Sequence, residues 1–402
     1  MIYSLQGYSQ HYAWGGRQYI PTLFKQPCDG QPYAEWWLGA HPAAPSIIQN
    51  QSQRQSLIEF LQQNPTALGD GSRAKFGDDL PFLVKILDVE KPLSIQLHPN
   101  KTQAEIGFAA ENAAGIEPTD TTRIYKDNNH KPEMMIALSD FWLLHGFCRK
   151  AQIMANLAAR PSLAPLAKKL TAQPLSHFYA DMMHAKSAQL ARWLLPIIEV
   201  NQTAYRQHRL SLENPDYWML YTVDKMAVEH DKLDAGLLCF YLFNLVHLNP
   251  GEGIYQAAGI PHAYLRGQNI ELMACSDNVI RGGLTPKYVN IDALLDIIDC
   301  REIIPQIIPA APISANVHDY LTPASDFALQ RMRYEKETCL TLRFDSAAIL
   351  LVMKGVIEIS QNSTALCFTQ GESAFIEAGE GYQLKGIDDG YCFIAQLPPI
   401  HR

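Results

Sequence analysis

The sequence predicts a mainly β protein built of two β-barrels or jelly rolls, with an α-helical domain inserted into the first. Short β-branched and aromatic runs separated by turn signals fill residues 1–149 and return after residue 230, as is typical of half-buried strands. Between them, residues 150–230 almost lack glycine and are rich in Ala, Leu, Gln, Met and Lys. A nine-residue pattern in the second β segment recurs near residue 371, which indicates two similar β units.

The helical segment contains one long apolar stripe. Its members follow the i, i+3, i+4, i+7, i+8 spacing of one helix face, and they are Leu190, Trp193, Leu194, Ile197 and Ile198. Pro196 interrupts this stripe, so we expect it to kink or divide the helix.

The second β segment ends in a short helix and a proline-rich connector. The run "NIDALLDIID" predicts a helix capped by Asn290. The run "IIPQIIPAAPIS" that follows places three prolines in eight residues, which is typical of a stiff connector rather than a central strand. The predicted domains are therefore a discontinuous first barrel (1–149 and 231–302), a helical insertion (150–230), a linker (303–316) and a C-terminal jelly roll (317–402).

The repeated pattern is informative where its copies differ. "GEGIYQAAG" at 251–259 aligns without gaps to "GESAFIEAG" at 371–379, with Gly, Glu, Ala and Gly at the same offsets. Coincidence remains open because Gly-Glu turns are common before strands, but both copies stand between two apolar strand patterns. The first copy continues "IPHAYLRG" and the second "EGYQLKG", without a histidine. We therefore expect the C-terminal unit to bind no metal.

Composition excludes several classes of partner. The chain of 402 residues has a net charge of -8 and a pI near 5.9, which argues against nucleic acid because phosphate backbones need a clustered basic face. The most apolar run, Leu237 to Phe243, is far short of the roughly 20 residues that cross a bilayer. Eight cysteines without C-x-x-C spacing are typical of reduced thiols, and the first residues lack a signal-peptide pattern. These features predict a cytoplasmic protein without a membrane or nucleic-acid partner.

The stretch "SIQLHPN" at 94–100 places an amide and an imidazole on one strand face. Gln96 and His98 are two residues apart, and side chains at i and i+2 of a strand point to the same side, about 6.6 Å apart along it. Taken alone, a satisfied core or rim histidine is the ordinary interpretation. The alternative is that both side chains bind one metal ion.

Two more stretches supply donors of the same kind. In "YKDNNHKPEMM", Glu133 follows Pro132 at the edge of an apolar strand, where burying a carboxylate without a cation is costly, although a solvated turn is the ordinary interpretation. In "GIPHAY", the Gly-x-x-His spacing that ends at His262 matches the second metal-binding motif of the cupin superfamily. Together with Gln96 and His98, these residues form a plausible four-donor zinc shell.

The run "IELMACSDNVIRGGLTPKY" at 270–288 concentrates charged residues. It holds Glu271, Asp277, Arg281 and Lys287 and little other polar content. A charged surface loop is the alternative interpretation. The pair Gly282-Gly283 suggests a tight backbone path beside the arginine.

These motifs resemble one known family. "SIQLHPNK", "YKDNNHKPEM", "GIPHAYLRG" and "ELMACSDNVIRGGLTPKY", together with "YAWGG" and "AEWWLGAHP" near the start, closely resemble the signatures of type I phosphomannose isomerases. The order of parts is also similar: a catalytic cupin, a helical insertion, a return to the cupin and a C-terminal jelly roll. One departure is Ala13, where many members carry Asp before the Trp-Gly.

The resemblance implies a site and a reaction. It implies one zinc ion held by Gln96, His98, Glu133 and His262. The family's other active-site positions correspond here to Trp14, Lys101, His130, Lys131, Glu271, Asp277, Arg281 and Lys287. The implied reaction is the reversible conversion of mannose 6-phosphate to fructose 6-phosphate, an aldose-ketose isomerisation through an enediol or enediolate. The resemblance also implies a monomer.

The roles of the site residues stay partly open. Glu271 or Asp277 is the candidate proton-transfer base, and His130 with Lys131 is the candidate pair for opening the sugar ring. Lys101, Lys131, Arg281 and Lys287 are counter-charges for the phosphate, with Trp14 beside the substrate, and Arg281 is suited to a bidentate grip on oxygens. Zinc either polarises the carbonyl or lowers the pKa of a bound water.

Two other functions compete with this one. A metal-dependent cupin oxygenase would normally use an iron site of two histidines and a carboxylate, without a cationic cradle for a phosphate. A non-catalytic, metal-dependent sugar-binding cupin would not need four metal ligands beside acid-base candidates.

Overall fold

The structure is a computed structural model, and it describes residues 1–49 and 53–399. Within these residues the chain is mainly β, with two antiparallel sheets and several helices, in agreement with the sequence prediction. The last three residues of the predicted C-terminal domain lie outside the described part.

The elements follow the predicted textures along the chain. The first 149 residues form β1 (Ile2–Gln6), β2 (Tyr8–Gln10), α1 (Tyr19–Leu23), β3 (Glu35–Gly39), β4 (Ile47–Gln49), β5 (Arg54–Ser56), α2 (Leu57–Gln63), a 3-10 helix (Pro65–Leu68), α3 (Asp70–Phe76), β6 (Phe82–Val89), β7 (Gln96–Leu97), α4 (Lys101–Ala113), β8 (Glu133–Ala137) and β9 (Phe141–Phe147). Then come α5 (Lys150–Ala158), α6 (Ala164–Thr171), α7 (Leu175–Met183), α8 (Ser187–Arg206), α9 (Pro215–Lys225) and a 3-10 helix (Ala235–Tyr241).

The rest of the chain returns to strands. These elements are β10 (Phe243–Leu248), β11 (Gly253–Gln256), β12 (His262–Ala274), β13 (Ile280–Arg281), α10 (Ile291–Ile297), β14 (Ala311–Pro312), β15 (Val317–Tyr320), β16 (Ala328–Tyr334), β17 (Cys339–Phe344), β18 (Ala348–Gln361), β19 (Thr364–Thr369), β20 (Ser373–Ile376) and β21 (Gly379–Gln396).

Strand β12 organises the first sheet. It pairs with β6, β7, β8 and β9, so strands that are distant in sequence meet along one long segment. On β6, Lys85 faces an internal cavity, while its neighbours Val84 and Ile86 pack into a hydrophobic core on the other face. This alternation is the period-2 pattern of a strand that separates two environments.

The second sheet contains an unexpected set of strands. Besides the C-terminal strands, it includes β1, β4 and β5 from the start of the chain. Strand β1 lies between β20 and β4, with Ile2 opposite Ile376, and the N-terminal amine contacts a Glu377 carboxylate oxygen at 2.9 Å. Sheet pairing therefore runs across the predicted boundary between the first barrel and the C-terminal jelly roll, and the division into domains stays a prediction.

The helices of residues 150–225 pack against the first sheet. Phe147 of β9, Tyr179 of α7 and Phe243 of β10 belong to the same hydrophobic core, with the Phe147 and Tyr179 rings 5.2 Å apart at 88°. In α8, the predicted stripe is buried at Leu190, Leu194, Ile197 and Ile198, and Trp193 is half-buried. Pro196 does not divide α8, which continues through it. Its ring lies on the exposed face, where the missing hydrogen bond can be replaced by water.

Both copies of the repeated pattern adopt the same local structure. Gly251 and Gly371 have positive φ angles of 91° and 83°, and the strands β11 and β20 begin two residues later in each copy. The glutamate after each glycine accepts a hydrogen bond from a backbone N–H three residues earlier, Asn249 in one copy (2.8 Å) and Thr369 in the other (2.7 Å). The repeat is therefore structural as well as compositional.

The predicted helix cap at Asn290 is confirmed, and the proline-rich segment that follows α10 forms little regular structure. Asn290 caps α10 by accepting a hydrogen bond from the Ala293 backbone N–H at 3.0 Å. The proline-rich connector contains the two-residue strand β14, which pairs with β15, and Ile308 forms an isolated antiparallel bridge with Gly253. None of the helices in the described residues combines the length and hydrophobicity that crossing a bilayer requires.

Candidate metal centre and active site

One cavity of about 700 Å³ collects most of the residues singled out in the sequence. It opens inside the first sheet, beside the inner faces of β6, β8 and β12. The sequence-predicted residues that line it are Trp14, Gln96, Lys131, Glu133, Glu271, Asp277, Arg281 and Lys287. The cavity wall therefore joins segments that are nearly 275 residues apart in the chain, from Trp14 to Lys287.

Beside this cavity, at the point where Glu133 lines it, three buried donor groups converge, two of which, His98 and His262, do not line the cavity themselves. The Nε2 atoms of His98 and His262 lie 3.4 and 3.3 Å from the same Glu133 oxygen, Oε2. All donor atoms of the three residues lie within 4.8 Å of one another. None of the three converging atoms has a hydrogen-bond partner among the described residues, although each is removed from water. Buried polar atoms are costly when unpaired, so this arrangement fits a bound cation.

The strands and loops orient both imidazoles toward that point. The other ring nitrogen, Nδ1, lies 2.7 Å from the Asn278 carbonyl oxygen in His98 and 3.0 Å from the Ile260 carbonyl oxygen in His262. A backbone carbonyl accepts a hydrogen bond, so each Nδ1 carries the proton and each Nε2 keeps its lone pair for a metal.

The charge states also suit a metal. Burial alone would raise the pKa of Glu133, but Lys131 and the two imidazoles outweigh it and hold that pKa well below its ordinary value. The Lys131 ammonium lies 3.2 Å from the second Glu133 oxygen, Oε1. Burial lowers the pKa of His98 to about 4, despite the opposing effect of the Glu133 charge. A carboxylate and neutral imidazoles are the forms that bind divalent cations.

Gln96 reaches the same region from a neighbouring strand. It lies directly opposite His262 where β7 pairs with β12, and opposite Arg281 where β7 pairs with β13. Its side chain is half-buried and lines the cavity beside Glu133. The structure thus brings an amide to the edge of the His-Glu-His group.

Glu271 lies on the wall of the cavity in a chain of charged groups. The Lys85 ammonium lies 3.7 Å from Glu271 Oε2 and 3.5 Å from Glu35 Oε2, and the Tyr264 hydroxyl donates to Glu271 Oε1 at 2.8 Å. Burial, followed by the charge of Glu133, raises the pKa of Glu271 to about 7 despite the opposing Lys85. A carboxyl group with a pKa in this range can exchange protons near neutral pH.

Sequence reasoning missed Lys85, Glu35 and Tyr264. A signal for Lys85 was available, because it is the one cation inside the largely apolar run "FLVKILDV", all of which is buried. A buried lysine needs a carboxylate partner, and the structure supplies Glu35 and Glu271. Tyr264 stands two residues after His262 on the same strand, so the alternation of a strand was a signal that the two side chains share a face.

Asp277 is held at the cavity rim by a buried histidine. Its Oδ1 atom lies 3.2 Å from His41 Nε2, and this contact lowers the pKa of Asp277 despite the opposing effect of partial burial. The Asp277 side chain is more than half exposed. It is therefore a carboxylate that a ligand in the cavity can meet.

Arg281 and Lys287 give the cavity a cationic end. Neither makes an ion pair within the described part of the chain, and partial burial lowers the pKa of both groups. The charge of Arg281 lowers the pKa of Lys287 further, which indicates that the two cations lie near each other. The backbone beside Arg281 takes the tight path expected from the glycine pair, because a Cβ atom on Gly283 would lie 2.7 Å from Gly236.

Lys101 and His130 lie outside this cavity. Both line an adjoining cavity of about 840 Å³, which shares His41 and Asp277 with the first. His130 Nε2 lies 2.9 Å from Asp326 Oδ1, and the Lys101 ammonium donates to the Asn128 carbonyl oxygen at 3.1 Å. The structure therefore does not bring these two predicted residues together with the other site residues.

Comparison with known proteins gives concordant matches. Residues 2–150 match the family model "Phosphomannose isomerase type I, catalytic domain". Mannose-6-phosphate isomerase of Escherichia coli (strain K12) is 37% identical over 380 residues, which cover 92% of this chain and 93% of that protein. A crystal structure of a single-residue variant of phosphomannose isomerase from Salmonella typhimurium matches with a TM-score of 0.87 and 33% identity, covering 98% of this chain and 99% of that one. A zinc-bound structure of mannose 6-phosphate isomerase matches with a TM-score of 0.86 and 33% identity, covering 99% of this chain and 100% of that one.

Proposed function

This chain belongs to the type I phosphomannose isomerase family and has mannose-6-phosphate isomerase activity, and from that premise we propose how its site works. The proposed reaction interconverts D-mannose 6-phosphate and D-fructose 6-phosphate through an enediol or enediolate, with one zinc ion per chain. The observation that carries the proposal is the convergence of three buried, unpaired donor atoms from His98, Glu133 and His262 beside a cavity with a cationic end.

The proposed zinc ligands are Gln96, His98, Glu133 and His262. Two imidazole nitrogens, one carboxylate oxygen and one amide oxygen form a donor set that zinc accepts, with room for a further oxygen ligand. When bound, zinc acts as a Lewis acid that stabilises negative charge on a substrate oxygen or lowers the pKa of a bound water. Lys131 supports this site by holding Glu133 as a carboxylate.

Glu271 and Asp277 are the proposed proton-transfer groups. Isomerisation removes the proton from carbon 2 of the sugar and returns a proton to carbon 1, so a group that both accepts and donates near neutral pH is required. The pKa of Glu271 near 7 supports that role, while the lowered pKa of Asp277 supports a role as a permanent carboxylate at the rim. Lys85 and Tyr264 hold Glu271 in place through its two oxygens.

The phosphate of the substrate is proposed to lie at the cationic end of the cavity. Arg281 and Lys287 are free of carboxylate partners in the described residues, so a phosphate dianion would supply the missing counter-charge. Trp14 lines the same cavity and offers an apolar face to the sugar. Lys101 would attract the phosphate only at longer range, because it lines the adjoining cavity.

Ring opening is proposed to involve Lys131, which lines the cavity beside Glu133. His130 was predicted to assist, but its Nε2 atom is bound to Asp326, so it would first have to release that carboxylate.

The same proposal extends to architecture and context. The repeated glycine-glutamate turn supports two cupin-type jelly rolls, and the grouping of α5 to α9 supports a helical insertion between residues 150 and 230. We also propose a cytoplasmic, monomeric enzyme with a sugar phosphate as its small-molecule partner. The relatives give no support to the alternatives of an oxygenase and a non-catalytic sugar-binding protein, and the cationic end formed by Arg281 and Lys287 is a feature that an oxygenase site would not need.

A coupled assay tests the function directly. Purified, zinc-loaded protein is given mannose 6-phosphate, and fructose 6-phosphate is detected by a coupling enzyme. In deuterated water, the enediol route should place deuterium at carbon 1 of the product. Absence of turnover in a fully zinc-loaded sample would refute the proposed function, and turnover that survives verified removal of all metal would refute the zinc site.

A further inference from the structure

A separate cleft of about 510 Å³ lies among the helices, away from the proposed metal ligands. Five of its lining residues carry basic or imidazole side chains, which are Arg206, His208, Lys225, His230 and Arg266. The acidic residue that lines it is Asp224, and its carboxylate already accepts a hydrogen bond from the Tyr205 hydroxyl at 3.2 Å. In a chain with a net charge of -8, this is a local concentration of positive charge.

Arg266 is held in place by contacts with three aromatic side chains. Its guanidinium carbon lies 5.1 Å from the Trp218 ring centre and 5.6 Å from that of Tyr221, and a guanidinium nitrogen donates to the Tyr217 hydroxyl at 3.1 Å. The side chain is half-buried, yet no carboxylate pairs with it anywhere in residues 1–49 and 53–399. Cation-π contacts offset part of the cost of desolvation but leave the charge without a counter-ion.

The positions of two other cations, Arg206 and Lys225, are partly explained by the helices that carry them. Arg206 and Lys225 each lie in the last turn of a helix, α8 and α9, where a cation offsets the negative end of the helix dipole. That explanation does not apply to Arg266, which lies on strand β12. Neither Arg206 nor Lys225 makes an ion pair with a described residue, so three fixed cations (Arg206, Lys225 and Arg266) face one carboxylate, that of Asp224, and the cleft keeps an excess of positive charge.

The cleft is physically connected to the catalytic cavity. Lys225 lines both, and the next two residues, Met226 and Ala227, line the catalytic cavity. On β12, Tyr264 lines the catalytic cavity and Arg266 lines the cleft, with a break in strand register between them. Such irregularities redirect side chains along a strand. A ligand that pulls on Lys225 or Arg266 therefore acts on segments that form the catalytic wall.

We propose that this cleft is a regulatory site for a phosphate-bearing anion, and that its occupancy alters substrate binding through the Lys225–Ala227 segment. Guanidinium groups bind phosphate oxygens in a bidentate manner, and a cleft of this volume holds a small molecule. The ligand would be free inorganic phosphate or the phosphate group of a nucleotide, since tyrosine rings adjoin the cations. The binding site stands on its own, whereas the effect on substrate binding rests on the proposed isomerase function.

Calorimetric titration of zinc-loaded protein tests binding. Inorganic phosphate and adenosine diphosphate are the two probes, and each is titrated into unaltered protein and into Arg281→Ala, which removes a cation of the catalytic cavity but not of the cleft, so binding that survives in Arg281→Ala belongs to the cleft. We expect binding that is weakened at least tenfold by Arg266→Met and by Arg206→Gln. Binding of both probes would indicate recognition of phosphate alone, and binding of the nucleotide alone would indicate that the ring is also recognised.

A matched control is available on the same helix. Arg192 is exposed on α8 but does not line the cleft, so Arg192→Gln makes the same charge change as Arg206→Gln and should leave binding unchanged. Arg206 is also exposed, so its substitution tests the site even if Arg266→Met fails to fold. Absence of binding to unaltered protein, or equal weakening by Arg192→Gln, would overturn the proposed site.

Kinetics test the coupling separately. The ligand should change the Michaelis constant for mannose 6-phosphate in unaltered protein and in Arg192→Gln, and the change should vanish in Arg206→Gln, whose basal activity should be normal. Bound ligand with an unchanged Michaelis constant would refute the coupling but not the site. If added zinc reverses the effect, the ligand acts by removing zinc from the protein, and the coupling is again refuted. Binding without any isomerase activity would instead count against the proposed function.

Discussion

Gln256 lies directly opposite Glu133 in the antiparallel pairing of β11 with β8. Side chains directly opposite in such a pair have Cβ atoms about 5 Å apart. Gln256 is fully buried, and neither the nitrogen nor the oxygen of its amide has a hydrogen-bond partner among the described residues. Gln256 therefore places an unpaired amide beside a proposed metal ligand.

Gln256→Leu should weaken zinc binding by about tenfold, the usual effect of removing a group that supports a ligand. The matched control is Asn269→Leu, because Asn269 is an equally buried amide on the same sheet but lies opposite Leu87 and Ala137. Zinc affinity measured by competition with a chromogenic chelator compares the two variants without relying on activity. Equal affinities in both would contradict a specific role for Gln256.

Removing a proposed metal ligand should release zinc. Glu133→Gln and His262→Ala each delete a donor from the buried group, so both variants should retain less metal through gel filtration, with turnover reduced at least 100-fold. Metal content by mass spectrometry is the primary measurement. Treatment of unaltered protein with a chelator should abolish turnover, and added zinc should restore it. Full zinc retention in both variants would show that the ion binds elsewhere.

The raised pKa of Glu271 predicts a dependence of stability on pH. In the folded, metal-free chain this pKa is about 7, against 4.5 for the ordinary group, so the folded state binds the proton more tightly than the unfolded state. The contribution of Glu271 to stability is then fully present below pH 4.5 and falls as the pH rises to about 7. Glu271→Gln cannot titrate at this position and should not lose this stability. The free energy of unfolding of Glu271→Gln, measured by denaturant titration, should therefore increase relative to that of unaltered protein between pH 4.5 and 7. A constant difference between the two proteins across pH 4.5–7 would contradict the assigned shift.

Arg281 lies at the cationic end of the cavity and also opposite the proposed zinc ligand Gln96, so it can contact either the phosphate or the substrate oxygens near the metal; we expect the second contact to dominate, and kinetics separate the two roles. If its guanidinium stabilises negative charge that grows on the substrate oxygens, Arg281→Ala should lower kcat with little change in KM. If it mainly holds the phosphate, KM should rise instead. Arg281→Lys is the sharper test, because it keeps the charge but loses the planar fork of donors. Near-normal activity in Arg281→Lys would count against a geometric role.

Ala227 occupies a position that favours glycine. It follows the end of α9 with a φ of 51°, and the adjacent Val228 N–H donates to the Val223 carbonyl oxygen at 2.9 Å, as in a Schellman motif. Ala227→Gly should therefore raise the free energy of unfolding by about 0.5–1 kcal/mol. The control is Ala114→Gly after α4, where φ is -76° and the same substitution should be destabilising. Chemical denaturation measures both, and the same sign in both variants would refute the argument.

The sequence was sufficient where a local pattern carries the information. The strand alternation of Gln96 and His98 and the Gly-x-x-His spacing at His262 indicated a metal site, and the structure joins His98 and His262 at Glu133. The helical segment was likewise visible from its glycine content and the stripe ending at Ile198. These are properties of short windows of sequence, within which side-chain direction follows from strand or helix geometry.

The features that were missed depend on contacts between distant segments. Lys85 meets Glu35 and Glu271 only because β6 pairs with both β3 and β12 in one register, which no short window specifies. His130 lies in the right motif, yet Asp326, 196 residues later, holds its ring in the adjoining cavity. Nothing in the sequence of residues 2–6 indicated that β1 would pair with β20.

The pairing of β1 with β20 has a consequence for the order of events during synthesis. Ile2 is synthesised well before its partner Ile376, and at typical elongation rates of 5–20 residues per second the interval between them is about 20–75 s. Throughout that interval, one edge of β1 has no strand to pair with, and an unpaired edge can associate with other chains. A nascent chain stalled or truncated before residue 373 would keep this edge permanently open, so aggregation of such fragments should depend on whether residues 2–6 are present.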